Sequence, residues 1–233
     1  MWLAGVDGCR AGWFRAARHT ESGELRFEVI ASAAALFTRA PRAGVVALDI
    51  PIGLPEKGSR ECDLAARKLL GPRRSSVFPA PIRPALLAVT HGDASRIGER
   101  IDGRRVSAQA FQLFGKIREL DALLRSDADA RGRVREVHPE LVFRAWNGGE
   151  PMTTYKKKPA GRAERLALIE SWLGAGVLPR ARGAYLKKQL ADDDILDAIA
   201  ALWTAHRVAD GRAETVPGEP ARDGVGLPME IVF

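Results

Sequence analysis

Three short segments near the start of the chain have the hydrophobic patterns of β-strands. Residues 2–7 form an apolar run that ends at Asp7, directly before a glycine-containing turn, and residues 12–18 form a second apolar run. In residues 25–29, apolar and charged side chains alternate, which is typical of a half-buried strand. Because only short turns join these segments, we predict that the three strands form an antiparallel meander.

A fourth strand is indicated by the run 45–50, which is apolar except for Asp49. Such a run is typical of a central strand that is covered on both faces. Ser32 can cap a short helix between strands 3 and 4, and a right-handed crossover through that helix places strand 4 beside strand 1 and parallel to it. Asp7 and Asp49 then lie at the same edge of the sheet, where open α/β sheets bind ligands.

The remaining patterns predict an α/β fold whose sheet is completed after a helical insertion. We expect the insertion at about residues 55–132, with helices at 60–70 (capped by Ser59), 84–100 and 107–126. A fifth strand at 133–138 follows, then helices at 139–146, 162–173, 180–190 and 193–208, and a closing strand at 229–233. This order predicts one domain over residues 1–233: a five-stranded mixed sheet, its first three strands antiparallel, flanked by helices.

A cluster of acidic residues precedes the last predicted helix. Asp192, Asp193 and Asp194 stand at the helix start, where carboxylates cap free N–H groups and suit the helix dipole. Asp197 is different, because it is the one charge in an otherwise apolar stretch, 195–205, that indicates a buried helix. A buried carboxylate has to be paired, hydrogen-bonded or bound to a metal. Asp194 and Asp193 share a helix face with Asp197.

These acids together predict a metal site. Asp7 alone is also typical of a turn, because Asp-Gly is an ordinary hairpin signal, but the Asp49 strand and the buried Asp197 favour a ligand role. The predicted metal ligands are Asp7, Asp49, Asp193, Asp194 and Asp197. Oxygen ligands without histidine or cysteine favour Mg²⁺ or Mn²⁺. Two such ions about 4 Å apart can activate water and stabilise the leaving oxygen in phosphodiester hydrolysis.

Further candidates surround this acidic set. Glu136 lies on the fifth strand as another carboxylate, and His138 just after it could assist proton transfer or could be a structural histidine before Pro139. Two basic loops are candidates for phosphate binding, although a solvated basic loop is the alternative for the lysines. The predicted substrate-binding residues are Arg73, Arg74, Ser75, Ser76, Lys156 and Lys157.

Composition and charge indicate which partners, cysteine sites and cellular location to expect. The formal net charge of +7 suits a nucleic-acid partner, although an arginine-rich compositional bias could also produce it. The two cysteines form no Cys-x-x-Cys pair, so neither a zinc site nor a disulfide framework is expected. The sequence contains no apolar run long enough for a membrane span and no signal-peptide pattern, so we expect a cytoplasmic protein without a membrane partner.

The chain resembles a bacterial family of unknown function that is described as predicted RNase H-like nucleases. The resemblance is carried by G-V-D-G-C-R-A-G-W, D-I-P-I-G-L-P, R-E-C-D-L-A-A-R-K-L-L-G-P-R-R-S-S-V-F-P-A-P, V-R-E-V-H-P-E, Y-K-K-K, D-D-D-I-L-D-A and G-L-P-M-E-I, in that order along nearly the whole chain. It implies an RNase H-like core with one acid on the first strand, one on the fourth and one or two on the last helix. These positions match Asp7, Asp49 and the pair Asp194 and Asp197.

The expected function is therefore a metal-dependent nuclease that uses Mg²⁺ or Mn²⁺ to hydrolyse phosphodiester bonds. Two alternatives stay open. A phosphotransferase or ATPase on the same fold is one, because actin-like kinases also use an Asp-Gly turn after strand 1 to cradle phosphate, although they duplicate the domain. A non-catalytic binding protein would leave the acidic cluster unexplained, but fold alone does not prove function.

Overall fold

A five-stranded mixed sheet with the strand order β3-β2-β1-β4-β5 lies at the centre of the structure, a computed structural model that describes residues 1–233. Its strands are β1 (Trp2–Cys9), β2 (Gly12–His19), β3 (Leu25–Ile30), β4 (Ala43–Leu48) and β5 (Val134–Glu136). The pairs β1–β2 and β2–β3 are antiparallel, and β1–β4 and β4–β5 are parallel. The predicted antiparallel meander and the parallel placement of strand 4 beside strand 1 are confirmed.

The first strand is longer than predicted. It continues two residues beyond Asp7, and its register with β2 pairs Asp7 with Phe14 and Cys9 with Gly12. The turn therefore contains only residues 10–11. Asp7 is a strand residue and not a hairpin-turn residue, which removes the turn interpretation of this aspartate.

Ten α-helices and two 3-10 helices surround the sheet. The α-helices are α1 (Ala33–Thr38), α2 (Glu61–Leu70), α3 (His91–Asp102), α4 (Ala108–Gln112), α5 (Phe114–Ser126), α6 (Ala128–Arg133), α7 (Pro139–Trp146), α8 (Pro159–Leu173), α9 (Val177–Arg182) and α10 (Asp192–Ala209). The 3-10 helices are Gly71–Ser76 and Arg83–Leu87. The last strands, β6 (Thr215–Val216) and β7 (Ile231–Val232), form a separate antiparallel pair, so the predicted closing strand does not extend the central sheet.

Several predicted helix limits are wrong for local reasons. The helix predicted at 84–100 begins only at His91, because Thr90 Oγ1 accepts a hydrogen bond from Asp93 N and starts the helix there. The helix predicted at 107–126 is divided into α4 and α5. The helix predicted at 180–190 ends before Gly183, which has a φ of +51°. Ser59 does not cap α2, whose first turn has no side-chain cap.

Apolar side chains cover both faces of the sheet. On one face, residues of α2, α7, α8 and α10 form a core with the sheet residues Leu3, Phe14 and Ala47. On the other face, α1 and α5 pack on Val6 and Val46. The insertion thus contributes to the core, because four apolar residues of α5 are buried there: Phe114, Ile117, Leu120 and Leu124. None of the helices combines the length and the apolar composition that crossing a lipid bilayer requires.

Candidate metal centre

The position of Asp7 is determined by the alternation of side chains along β1. Leu3, Gly5 and Asp7 lie two residues apart, so they belong to one face of the sheet, the face on which α10 packs. Gly5 permits the close approach of this helix, because a Cβ there would lie 2.0 Å from Leu202 N and 2.1 Å from Ala198 O. The missing side chain at position 5 thereby brings the start of α10 towards Asp7.

Asp49 follows β4 immediately and lies beside β1. Its backbone N–H donates to Val6 O at 3.0 Å, so the contact between the two chain segments continues one residue past the end of β4. Val6 is aligned with Leu48 in the parallel register. Asp7 and Asp49 are therefore neighbours at the carboxyl end of these strands, as the predicted crossover requires.

Asp197 completes the cluster from the second turn of α10. Its residue is only 3 % exposed, in agreement with the apolar character of the helix around it. Asp7, Asp49 and Asp197 each offer a carboxylate oxygen, and these oxygens all lie within 4.8 Å of one another. Three acids from different chain segments thus meet at one point.

The unpaired oxygens of the cluster fit a hard cation. Asp197 Oδ1 is buried and has no hydrogen-bond partner, whereas an isolated buried carboxylate oxygen costs free energy. The Asp49 carboxylate accepts no hydrogen bond, and Asp7 Oδ1 accepts one from Gly8 N at 2.6 Å. An all-oxygen donor set of this kind suits Mg²⁺ or Mn²⁺.

The protonation of the cluster reflects its crowding. Burial, and then the charge of Asp197, raise the pKa of Asp49 to about 8, while Lys156 opposes the shift. Burial, followed by the charges of Asp49 and Asp197, also raises the pKa of Asp7. Three carboxylates so close together repel one another, and a bound cation would relieve this repulsion.

The cluster borders a cleft with a cavity volume of about 530 Å³. Its lining combines carboxylates, hydroxyls, lysines and exposed rings, among them Asp7, Asp49, Ser75, Ser76, Phe78, His138, Tyr155, Lys156, Lys157 and Lys158. Phe78 and Tyr155 are about half exposed, at 51 % and 50 %. The cleft therefore offers both positive charge and flat apolar surface next to the acids.

A family model described as "Protein of unknown function (DUF429)" matches residues 5–222 of the chain. The chain belongs to this family. No curated protein and no solved structure matches it. The matched residues include every candidate site residue from Asp7 to Asp197, so the site lies within the part of the chain that the family shares.

The remaining helix acids stand outside the cluster. Asp194 Oδ2 accepts a hydrogen bond from Ala191 N at 2.9 Å and caps the helix. Asp193 is half-buried, and burial raises its pKa. Asp192 pairs with Arg162 and Arg182 instead. The structure thus brings together three of the five predicted metal ligands, with Asp193 and Asp194 at the margin.

The carboxylate of Glu136 forms an ion pair with an arginine. Arg60 donates from Nη1 and Nη2 to the two carboxylate oxygens of Glu136, both at 2.7 Å, and Ile52 N donates to Glu136 Oε2. Arg60 also pairs with Asp63 at 2.6 Å, and all three side chains are buried. Sequence reasoning missed Arg60 and Asp63, although their spacing of three at a helix start was a signal for an ion pair.

His138 lines the cleft with one free nitrogen. Its Nε2 lies 3.3 Å from Ser76 O, so Nε2 carries the proton and donates it to the carbonyl. Its Nδ1 is buried without a partner, and burial lowers the pKa of the imidazole. A neutral histidine with an unpaired acceptor nitrogen is suited to accept a proton.

The four predicted basic residues occupy four different environments. Arg73 is 5 % exposed and stacks on the Tyr155 ring, with its Cζ 3.8 Å from the ring centroid. Arg74 is exposed and does not line the cleft, whereas Lys157 does. Lys156 forms an ion pair with Asp197 Oδ2. Sequence reasoning missed Tyr155 and did not anticipate that one lysine of the Lys-Lys-Lys run contacts the acidic cluster.

Proposed function

We propose that the protein is a metal-dependent nuclease that hydrolyses phosphodiester bonds of nucleic acid at an RNase H-like centre. The observation that carries the proposal is the meeting of Asp7, Asp49 and Asp197 within 4.8 Å, with one buried oxygen of Asp197 unpaired. Because the acids come from the first strand, the end of the fourth strand and the last long helix, the arrangement also agrees with the RNase H-like order of ligands.

The three carboxylates would hold the cation and orient it toward the cleft. When bound, a divalent ion supplies positive charge to the attacking water and to the leaving oxygen. His138 is the candidate proton acceptor, because it lines the same cleft and its Nδ1 has no hydrogen-bond partner. The side chains of Asp7 and Asp49 line the cleft directly, so a substrate phosphate there would be next to the ion.

The rest of the cleft suits nucleic acid. Lys157 and Lys158 are exposed cations that can contact phosphates. The half-exposed rings of Phe78 and Tyr155 can stack on bases. Arg73 supports this use of Tyr155 by stacking on its ring.

A cleavage assay tests the proposal. The purified protein is incubated with labelled single-stranded, duplex and branched DNA and RNA, with Mg²⁺, with Mn²⁺ or with EDTA. We expect cleavage that requires the metal. Asp7→Asn and Asp197→Asn should each lower the rate by roughly 10³-fold, because each removes several kcal/mol of charge stabilisation.

A matched control comes from the same helix as Asp197. Asp210 lies at the far end of α10, is exposed and pairs with Arg212, so Asp210→Asn should cleave as the wild type does. Equal rates for wild type, Asp7→Asn and Asp197→Asn would contradict the proposal. Release of inorganic phosphate from ATP without cleavage of any nucleic acid would favour a phosphotransferase or ATPase instead.

A further inference from the structure

Lys156 is held in place by the loop that precedes α8. Tyr155 O accepts a hydrogen bond from Lys158 N at 2.9 Å, and Thr154 O accepts one from Arg165 at 3.0 Å. Gly161 packs tightly on the same loop, because a Cβ there would lie 2.2 Å from Tyr155 O. These contacts fix the backbone on both sides of Lys156, so its side chain has a defined position.

The ammonium group of Lys156 is directed at one oxygen of the acidic cluster. It pairs with Asp197 Oδ2, whereas Asp197 Oδ1 stays buried and unpaired. The Lys156 side chain is 35 % exposed, while Lys157 and Lys158 are exposed residues without ion pairs. Lys156 therefore differs from its neighbours in the Lys-Lys-Lys run by being part of the centre.

The net charge of the acidic cluster limits how many divalent cations it can bind. With all three carboxylates ionised, as ligation of a cation requires, the cluster carries three negative charges and Lys156 carries one positive charge, so a net charge of −2 remains for one divalent ion. A second ion would need Asp197 Oδ2 or a further ligand, but Lys156 occupies that oxygen. Asp194, on the same helix as Asp197, uses Oδ2 to accept a hydrogen bond from Ala191 N.

We infer that the centre takes one divalent cation and that the ammonium group of Lys156 supplies the second positive charge beside the phosphate. The inference rests on the proposed function, and it replaces the two-ion arrangement expected from the sequence by an ion and a lysine. Asp7, Asp49 and Asp197 Oδ1 hold the cation, and Asp197 links it to Lys156 through its two oxygens.

Counting bound ions tests this inference without any substrate. Metal-free protein is titrated with Mn²⁺ and followed by calorimetry and by native mass spectrometry. One ion per chain is the expected result. Two ions in the cluster would overturn the inference but leave a metal-dependent nuclease possible, whereas no binding would remove the metal centre and the proposed function together.

The variant Lys156→Met separates a charge role from a packing role. Removal of a positive charge next to the site should strengthen Mn²⁺ binding by roughly tenfold or more, while metal-dependent cleavage falls. Lys156→Arg keeps the charge and should bind Mn²⁺ as the wild type does. Lys157→Met, which removes an unpaired neighbouring lysine, should leave Mn²⁺ affinity nearly unchanged. Weaker or unchanged Mn²⁺ binding by folded Lys156→Met would overturn the inference.

Discussion

Two buried aspartates in this protein have opposite environments. Asp223 accepts hydrogen bonds from the backbone N–H groups of Leu54, Val225 and Leu227 at 2.9, 3.0 and 2.9 Å, and it pairs with Arg83. Asp197 pairs only with Lys156 and leaves its other oxygen buried without a partner. Both carboxylates are removed from water, but only Asp223 has its lost hydration replaced.

The difference appears in the pKa values of the two regions. Burial alone would raise the pKa of Asp223. The backbone N–H groups and Arg83 outweigh this effect and hold the pKa of Asp223 below its usual range. In the acidic cluster, burial and Asp197 raise the pKa of Asp49 to about 8. A carboxylate with full hydrogen bonding stabilises the fold, whereas a crowded and incompletely paired group of carboxylates destabilises it, and a bound cation would relieve that cost. This contrast is the reason to assign the cluster, and not the other buried acids, to function.

Arg60 provides the strongest test of the first kind of environment, in which buried carboxylates have full hydrogen bonding. Arg60→Met would leave Glu136 and Asp63 buried without their cation, so we expect the free energy of unfolding to fall by about 3–5 kcal/mol. Urea denaturation followed by circular dichroism measures this loss. Arg26→Met, which removes a half-exposed pair with Glu24, should have little effect. A loss as small as that of the control would mean that the ion pair does not hold Glu136, which would then be free to act with the acidic cluster.

Asp223 provides a smaller, pH-dependent test. Asp223→Asn should lower the free energy of unfolding by about 2 kcal/mol at pH 7, because hydrogen bonds to a charged acceptor are lost. The pKa of Asp223 lies below that of an unfolded aspartate, about 3.9. Its stabilisation is therefore present above about pH 4 and is lost as the pH falls through the lowered pKa.

Urea denaturation of wild type and Asp223→Asn at pH 7 and at pH 3 checks the sign of this dependence. The difference between the two proteins should shrink in acid, since the unfolded wild-type chain binds a proton at Asp223 there more readily than the folded protein does. The exposed Asp210→Asn serves as the matched control, with a small difference at both pH values. A difference that grows in acid would show that Asp223 does not stabilise the fold as a carboxylate.

Local pattern was sufficient to predict the sheet and the acids at its edge. The alternation in residues 25–29 and the apolar run 45–50 predicted strands, and the crossover rule placed strand 4 beside strand 1. The single charge in the apolar stretch of the last helix identified Asp197. These predictions depended on periodicity and short connections, which a sequence displays directly.

Long-range partners could not be predicted in the same way. Arg60 and Glu136 are separated by 76 positions, and nothing near either residue in sequence specifies the other. Lys156 and Lys157 are identical neighbours, yet the packing of Tyr155 on Arg73 and on Gly161 selects Lys156 for the cluster. The role of Gly5 likewise depends on α10, which packs directly against it. Tertiary contacts decide these roles.

Asp49 provides the smallest and most discriminating test, because its variant should change stability in the opposite direction. Asp49→Asn replaces a carboxyl group whose ionised form is disfavoured by burial and by the charge of Asp197, and it breaks no hydrogen bond of that group, so in EDTA we expect a gain of about 1 kcal/mol in the free energy of unfolding. With Mn²⁺ present, the wild type should gain more stability than the variant. Urea denaturation with EDTA and with Mn²⁺ measures both.

The control is Asp192→Asn. Asp192 lies on the same helix as Asp197 but pairs with Arg162 and Arg182, so this variant should lose stability under both conditions. A loss of stability for Asp49→Asn in EDTA would mean that the cluster is satisfied without a cation, and the contrast with Asp223 would disappear.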